Sequence, residues 1–207
     1  MNFGFVQSKI DGTEYMFLSN DGSIPDKISY VDCLPEVLNQ GNDPVCVPCS
    51  ISAYVNWIIN METGNSEYEN GLNCSDIFKH RTNPSNDGMS FKDALHYLKH
   101  NDAIIESGNR RIVHKYARVG SELALKQAIV ANGPCVGGLP VYNSYIKDFW
   151  NKNEGSFEGG HAIAIVGYNK DGFIIRNSWG KYYGQDGYSI LPYEDFDKFY
   201  ELWTIIE

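Results

Sequence analysis

The segment from residue 159 to residue 177 constrains this chain more than any other. Gly159 and Gly160 precede His161, the apolar run Ala162-Ile163-Ala164-Ile165-Val166 follows, and Asn169-Lys170-Asp171-Gly172 has the composition of a tight turn. Phe173-Ile174-Ile175-Arg176 is then a second apolar run. Runs of β-branched and aromatic residues bounded by turn signals read as strands, and two of them joined by a short turn pair antiparallel. Folding the chain back at 170–171 returns Asn177 to the level of His161. A strand histidine by itself is more often a structural residue; opposite an amide, its ring orientation is set. The Asn177 carbonyl oxygen can accept an imidazole N–H, and Trp179 can shield that bond from water and so strengthen it. The glycines before His161 permit close backbone approach, as a substrate-binding edge needs.

The rest of the chain changes character near residue 120. Val47, Ile51, Tyr54, Val55, Ile58 and Ile59 recur at the helical period, so a helix is expected over 47–60, with Pro48 tolerated in its first turn. Ser90-Phe91-Lys92-Asp93 predicts a capped start for a helix through Leu98, and Ser121 caps another that stops at Asn132-Gly133-Pro134. Residues 134–140, 161–168, 172–177 and 187–191 read as strands. Helices first and strands second predict an α+β fold, a helical lobe packed on an antiparallel, barrel-like sheet lobe. We assign 1–23 to an N-terminal extension and 24–207 to one domain. Its helix-rich lobe covers about 42–120, and its sheet-rich lobe about 121–207 plus the 24–40 segment. Tyr15-Met16-Phe17 is an aromatic patch in an otherwise polar extension. It suggests that residues 1–23 pack on the body or across part of the groove between the lobes, with Tyr15 and Phe17 as anchors.

Cys46 falls at the start of the 47–60 helix. A thiol attacks a carbonyl only as thiolate, and the unpaired N–H groups and dipole of a helix N-terminus favour that form. The oxyanion produced by the attack needs two donors. The Cys46 backbone N–H supplies one, and the Gln40 side-chain amide, brought back by the turn 41–45, is placed to supply the other. Cys46-Val47-Pro48-Cys49 also fits a redox C-x-x-C or half of a zinc site, but no second closely spaced pair exists and the strand expected before a redox motif is missing. His80, His96, His100 and His114 lie in polar surroundings and are expected at the surface.

A net charge of -9 lacks the footprint of a nucleic-acid binder and disfavours anionic membranes. No run approaches the ~18 apolar residues of a spanning helix, and the first ten residues lack the regions of a secretion signal. Cys33, Cys46, Cys49, Cys74 and Cys135 are a poor disulfide framework. A cytoplasmic or otherwise intracellular, reducing compartment is the simpler expectation.

Taken in order, Gln40-Gly41, Cys46, Gly160-His161-Ala162 and Asn177-Ser178-Trp179-Gly180 resemble the papain family of cysteine peptidases, in its short, disulfide-poor form. Gly184-Gln185-Asp186-Gly187-Tyr188, Asp87-Gly88-Met89-Ser90-Phe91 with Ala94-Leu95, and Asn132-Gly133-Pro134 extend the resemblance over about 24–192. It implies a two-lobed fold with the active site in the cleft. It implies peptide hydrolysis by a Cys46 thiolate–His161 imidazolium pair through a thioester, oriented by Asn177 and assisted by Gln40. Gly88, Met89, Gly160 and Trp179 would contact substrate. Met89, with residues near Pro134 and Tyr142, would line the pocket for the second residue before the scissile bond. Polypeptide substrates and protein inhibitors are the implied partners, without metal or cofactor. The family block can also be laid over Cys49. The Gln40 interval, Ser50 in place of the family's aromatic, and Ser85-Asn86-Asp87 where the family's disulfide partner stands favour Cys46. A catalytically silent binding protein on the same fold and a C-x-x-C redox protein are the competing readings.

Overall fold

The structure, a computed structural model, describes residues 3–64, 72–82, 87–105 and 108–206; Ser85 and Asn86 lie outside them. The strands are β1 (Met16–Phe17), β2 (Ile28–Ser29), β3 (Ala103–Ile105), β4 (Gly108–Arg110), β5 (Lys115–Val119), β6 (Cys135–Val141), β7 (Gly159–Asn169), β8 (Gly172–Arg176), β9 (Tyr188–Leu191) and β10 (Glu201–Ile206). The helices are α1 (Cys46–Thr63), α2 (Cys74–Lys79), α3 (Phe91–His100) and α4 (Glu122–Asn132). The main sheet runs β1-β5-β10-β6-β7-β8-β9, with β2 added against β7 and only the β1–β5 pair parallel. β3 and β4 form a separate hairpin.

The hairpin expected from the sequence lies in this sheet between β6 and β9. Tyr168 pairs with Phe173 and Asn169 with Gly172, leaving Lys170 and Asp171 as the loop. The Asn169 carboxamide accepts the Asp171 N–H at 2.8 Å, an Asx turn that fixes the reversal. A bulge between Ile165 and Gly167 sharpens the local twist. The helix caps are also as read. Ser90 accepts from the Asp93 N–H and Ser121 from the Ala124 N–H, each satisfying a first-turn donor.

α1 is buried on nearly every side from Cys46 to Ile59, because it lies between the two lobes. Its buried serines are satisfied inside the helix: Ser50 donates to the Val47 carbonyl at 2.7 Å and Ser52 to that of Cys49 at 2.6 Å. The helix ends at Gly64 in the left-handed conformation. One core joins α1 and α3 through Ile51, Tyr54, Val55, Phe91, Leu95 and Leu98; a second joins α4 to the sheet through Leu125, Ile129, Leu139, Ile165 and Phe173. The 115–119 segment, read from sequence with the helical half, is strand β5 of the sheet, paired to both β10 and β1. Strand β10 was not read at all. No helix among the described residues is long and apolar enough to cross a membrane.

Candidate active site

Cys46 is the first residue of α1, and the preceding Val45 provides no side-chain cap. The first-turn N–H groups are therefore left for whatever occupies the site. Complete burial pushes the Cys46 thiol up to about 11, although the N–H groups of Ala162, Gly4, Val47 and Cys46 itself favour the thiolate. Cys49 sits one turn further along, with its own N–H already spent on the Val45 carbonyl at 3.0 Å. The neighbouring Cys74 thiol, and then burial, push Cys49 well up. Helix-terminal stabilisation is thus available to Cys46 and not to Cys49. All five cysteines are free thiols.

The β7–β8 register brings His161 and Asn177 together as expected, with Nε2 to Oδ1 at 2.7 Å. The Ser178 N–H also donates to Asn177 Oδ1 at 2.7 Å, so the amide orientation is set by a backbone donor. Nε2 must then carry the proton, which leaves Nδ1 free. Nδ1 is buried without a hydrogen-bond partner. The thiol, under the N–H of the adjacent Ala162, is the group it can serve. Burial lowers the His161 imidazole to about 4, opposed by the bond to Asn177. Trp179 stacks on the ring at 4.4 Å between centroids, and Phe149 meets it edge-on at 5.6 Å.

Residues 38–40 are stitched to 178–180. The Gln40 N–H donates to the Ser178 carbonyl at 2.8 Å, and the Gly180 N–H to the Leu38 carbonyl at 2.8 Å. Ser178 Oγ donates to Gln40 Oε1 at 2.5 Å, which turns Nε2 the other way. One Nε2 proton goes to the Asp43 carbonyl at 2.9 Å, leaving the second for an oxyanion. The Ser178 hydroxyl thus fixes the orientation of the Gln40 amide, a contact that sequence reading missed. In Ser178→Ala the amide loses its anchor, and kcat should fall about fivefold to tenfold, the loss of about one hydrogen bond, with KM little changed. Unchanged kcat removes this role.

Residues 70–196 match the sequence profile of the papain family cysteine proteases, a segment that holds His161 and Asn177 and begins after Cys46. This chain belongs to the papain family. An uncharacterized peptidase C1-like protein of Acanthamoeba polyphaga mimivirus is 33% identical over 96 residues, 40% of this chain and 31% of that protein. Mouse cathepsin S is 25% identical over 198 residues, 80% of this chain and 58% of that protein. The chain thus spans less than two thirds of these relatives. Among solved structures, xylellain, a cysteine protease from Xylella fastidiosa, superposes with a TM-score of 0.82 at 19% identity, over 99% of this chain and 96% of that one. A Carica candamarcensis cysteine protease in complex with E-64 gives 0.67 at 21% identity, over 89% and 99%. The papain-like fold, α+β with a mostly antiparallel sheet, is shared with both.

This family member carries its own occupant in the cleft. Residues 3–8 run between the lobes as a strap. The Met89 N–H donates to the Gly4 carbonyl at 2.7 Å, the Val6 N–H to the Met89 carbonyl at 3.0 Å, and the Phe5 N–H to the Gly160 carbonyl at 3.4 Å. Phe5 pairs with Met89 in the parallel sense. Phe3 lies 6.3 Å from the His161 ring and 6.2 Å from Trp179, and the Gly4 N–H reaches the Cys46 sulfur. Met89 supplies the paired backbone. Gly88 supplies the room, since a Cβ there would lie 2.7 Å from the Gly4 oxygen. Further along, Ser8 donates through N–H and hydroxyl to the buried Glu201 carboxylate, both at 3.0 Å. Lys92 ties down Asp11 at 3.0 Å and Glu14 at 2.5 Å. The extension packs on both lobes; of the two expected anchors Phe17 packs against the sheet-lobe core and Tyr15 does not. Tyr15 is 71% exposed, and Phe17 lies in β1 at the sheet edge, whereas Phe5 is 7% exposed in the core. The short Phe3-Gly4-Phe5 motif was the available signal.

Proposed function

We propose that this chain is a cysteine peptidase held in check by its own N-terminal strap. With the strap displaced, solvent returns to the cleft. Cys46 then loses its proton to His161 Nδ1, giving the thiolate–imidazolium pair. The sulfur attacks the peptide carbonyl carbon, and the oxyanion accepts from the Cys46 N–H and Gln40 Nε2. Nδ1–H protonates the leaving amine, the C–N bond breaks, and a thioester remains. His161 then takes a proton from water, the hydroxide attacks the thioester, and the acid leaves as the thiol is regenerated. Asn177 keeps the imidazole in the tautomer that both steps require.

The observation that carries this reading is an Asn177-bound imidazole with its other nitrogen free, on the residue before Ala162, whose N–H reaches the thiol at an uncapped helix start. Its strap, anchored on both lobes, is the basis for self-inhibition. The free thiols are compatible with a reducing compartment. Labelling the full-length protein with iodoacetamide or E-64 at mildly acidic pH, and locating the adduct by mass spectrometry, tests the assignment. A single adduct at Cys46 is expected, slow in the parent, faster in Gly4→Ala where the strap is lifted, and slowed at least about a hundredfold by adding His161→Ala to that variant. An adduct at Cys49 transfers the nucleophile. No hyper-reactive thiol even in Gly4→Ala favours a binding protein, and an exchanging Cys46–Cys49 disulfide favours redox chemistry.

A further inference from the structure

Asn177 is held at only one end of its amide. Oδ1 accepts from His161 Nε2 and from the Ser178 N–H, whereas Nδ2 is buried and has no partner at full hydrogen-bond geometry. The phenol of Tyr183 lies on that side. The Asn177 N–H donates to the Gly187 carbonyl at 3.0 Å and the Gly187 N–H to the Tyr183 carbonyl at 2.7 Å, which brings the loop after Gly180 back beside Asn177. The Tyr183 ring meets Trp179 edge-on at 5.0 Å, and Trp179 in turn stacks on His161.

Tyr183 Oη is fixed by donating to the Lys147 carbonyl at 2.6 Å, with the Ile146 carbonyl at 3.2 Å. Having given away its one proton, the phenol oxygen keeps its lone pairs for donors. Ser189 and Asn177 both approach it as donors, and Ser189 Oγ and Asn177 Nδ2 are buried atoms without another partner. Burial pushes the phenol up, so it stays protonated and keeps its hold on the carbonyl. Neighbouring Tyr182, of the same residue type, is 94% exposed.

These groups form one head-to-tail line, from the imidazole Nε2–H to Asn177 Oδ1, from Nδ2–H to Tyr183 Oη, and from Tyr183 O–H to the Lys147 carbonyl. Hydrogen bonds in such a chain polarise one another. A positive charge on His161 draws electron density from the amide through Oδ1 and makes Nδ2–H a stronger donor, so the middle link tightens when the ring is charged. In the covered protein burial holds the imidazole at about 4 and therefore neutral, the state in which that link stands open. Catalytic hydrogen bonds that are long in the resting protein and tighten in the working complex are a common pattern.

We infer that Tyr183 is a positioning residue of the peptidase: its hydroxyl takes the free Asn177 N–H as the thiolate–imidazolium pair forms, and so ties the base to the loop at 146–147. The inference rests on the peptidase reading above.

The test uses the full-length protein carrying Gly4→Ala, in which the strap is lifted. Tyr183→Phe keeps the ring against Trp179 and removes only the hydroxyl. Its kcat should fall about fivefold, the loss of about one hydrogen bond, with KM within about twofold. The alkaline limb of kcat/KM, where the imidazolium loses its proton, should move down by about half a pH unit, because a loosely held Asn177 oxygen supports the charged ring less. Lost packing alone would lower activity at every pH and leave that limb in place. In an Asn177→Ala background, Tyr183→Phe should change kcat by less than about twofold, since the link it would break is already gone. The same comparison decides the matter if Tyr183→Phe lowers the melting temperature. Unchanged kcat, an unmoved limb, or an equal loss with and without Asn177 overturns the role of Tyr183 and leaves the peptidase intact. No turnover by any of these proteins, together with an unreactive Cys46, overturns both.

Discussion

Full-length Gly4→Ala should hydrolyse peptides about a hundredfold faster than the unmodified chain. A Cβ on Gly4 would stand 1.8 Å from the Pro44 carbonyl oxygen, 2.3 Å from its carbon and 2.7 Å from its Cα, all backbone atoms that cannot rotate away. The strap must lift from the thiol. Lifting it exposes Phe5, worth about 2–3 kcal/mol, and exchanges the three strap hydrogen bonds for water at about 1 kcal/mol each. Ordering the strap offsets part of this total, and about 3 kcal/mol corresponds to about two decades in the open fraction. Phe5→Ala, which removes the anchor without a clash, should act in the same direction. Initial rates and alkylation of Cys46 measure the effect. If both variants alkylate and turn over no faster than the parent while remaining folded, the strap is not inhibitory.

His161→Ala should lose about a thousandfold or more in kcat/KM, because one side chain accepts the thiol proton, protonates the amine and activates water. The same residue gives the covered enzyme a pH dependence. Burial holds the imidazole at about 4, below its ordinary 6.5. An exposed ring that has not yet taken the Cys46 proton binds a solvent proton more tightly, so the opening step itself is favoured as pH falls from about 6.5 toward 4. The groups around the ring are Phe3, Phe149, Trp179 and Asn177, none of which titrates there, and the Cys46 thiol, which burial under the strap holds up at about 11. A brief incubation in that window, followed by assay at pH 6.5, should shorten any lag in the parent and have no effect on Gly4→Ala. An equal lag in both proteins would show that this imidazole does not govern opening.

The part of the site built within one hairpin was legible because its signals are local. Period-two apolar runs and an Asx turn set the β7–β8 register, and the register places Asn177 at His161. Cys46 was legible from helical periodicity together with Pro48, which can stand only in a first turn. What escaped depended on partners far away in sequence. β5 reads Lys115-Tyr116-Ala117-Arg118-Val119, and its two charges, which fall on opposite faces, hide the alternation until β10 is known to pair with it. Tyr15 looked like an anchor because hydrophobic size was visible and burial was not, whereas its neighbour Phe17 does pack on the sheet-lobe core. Phe3 and Phe5 matter because Gly4 between them passes under Pro44 and over Cys46. Ser178 was quoted only as part of a motif; its hydroxyl bond to Gln40 spans 138 positions in the chain.

Residues 38–40 belong by hydrogen bonding to the sheet lobe, although they precede the helix that opens the other lobe. Residues 41–45 therefore act as a ruler fixed at both ends. Their length sets how far the sulfur stands from an amide and imidazole already registered to each other. Inserting one residue there would leave the donor and the base in place and move only the nucleophile. The catalytic geometry is in this sense a measured distance along five peptide units, and it tolerates substitution in that stretch far better than any change in its length.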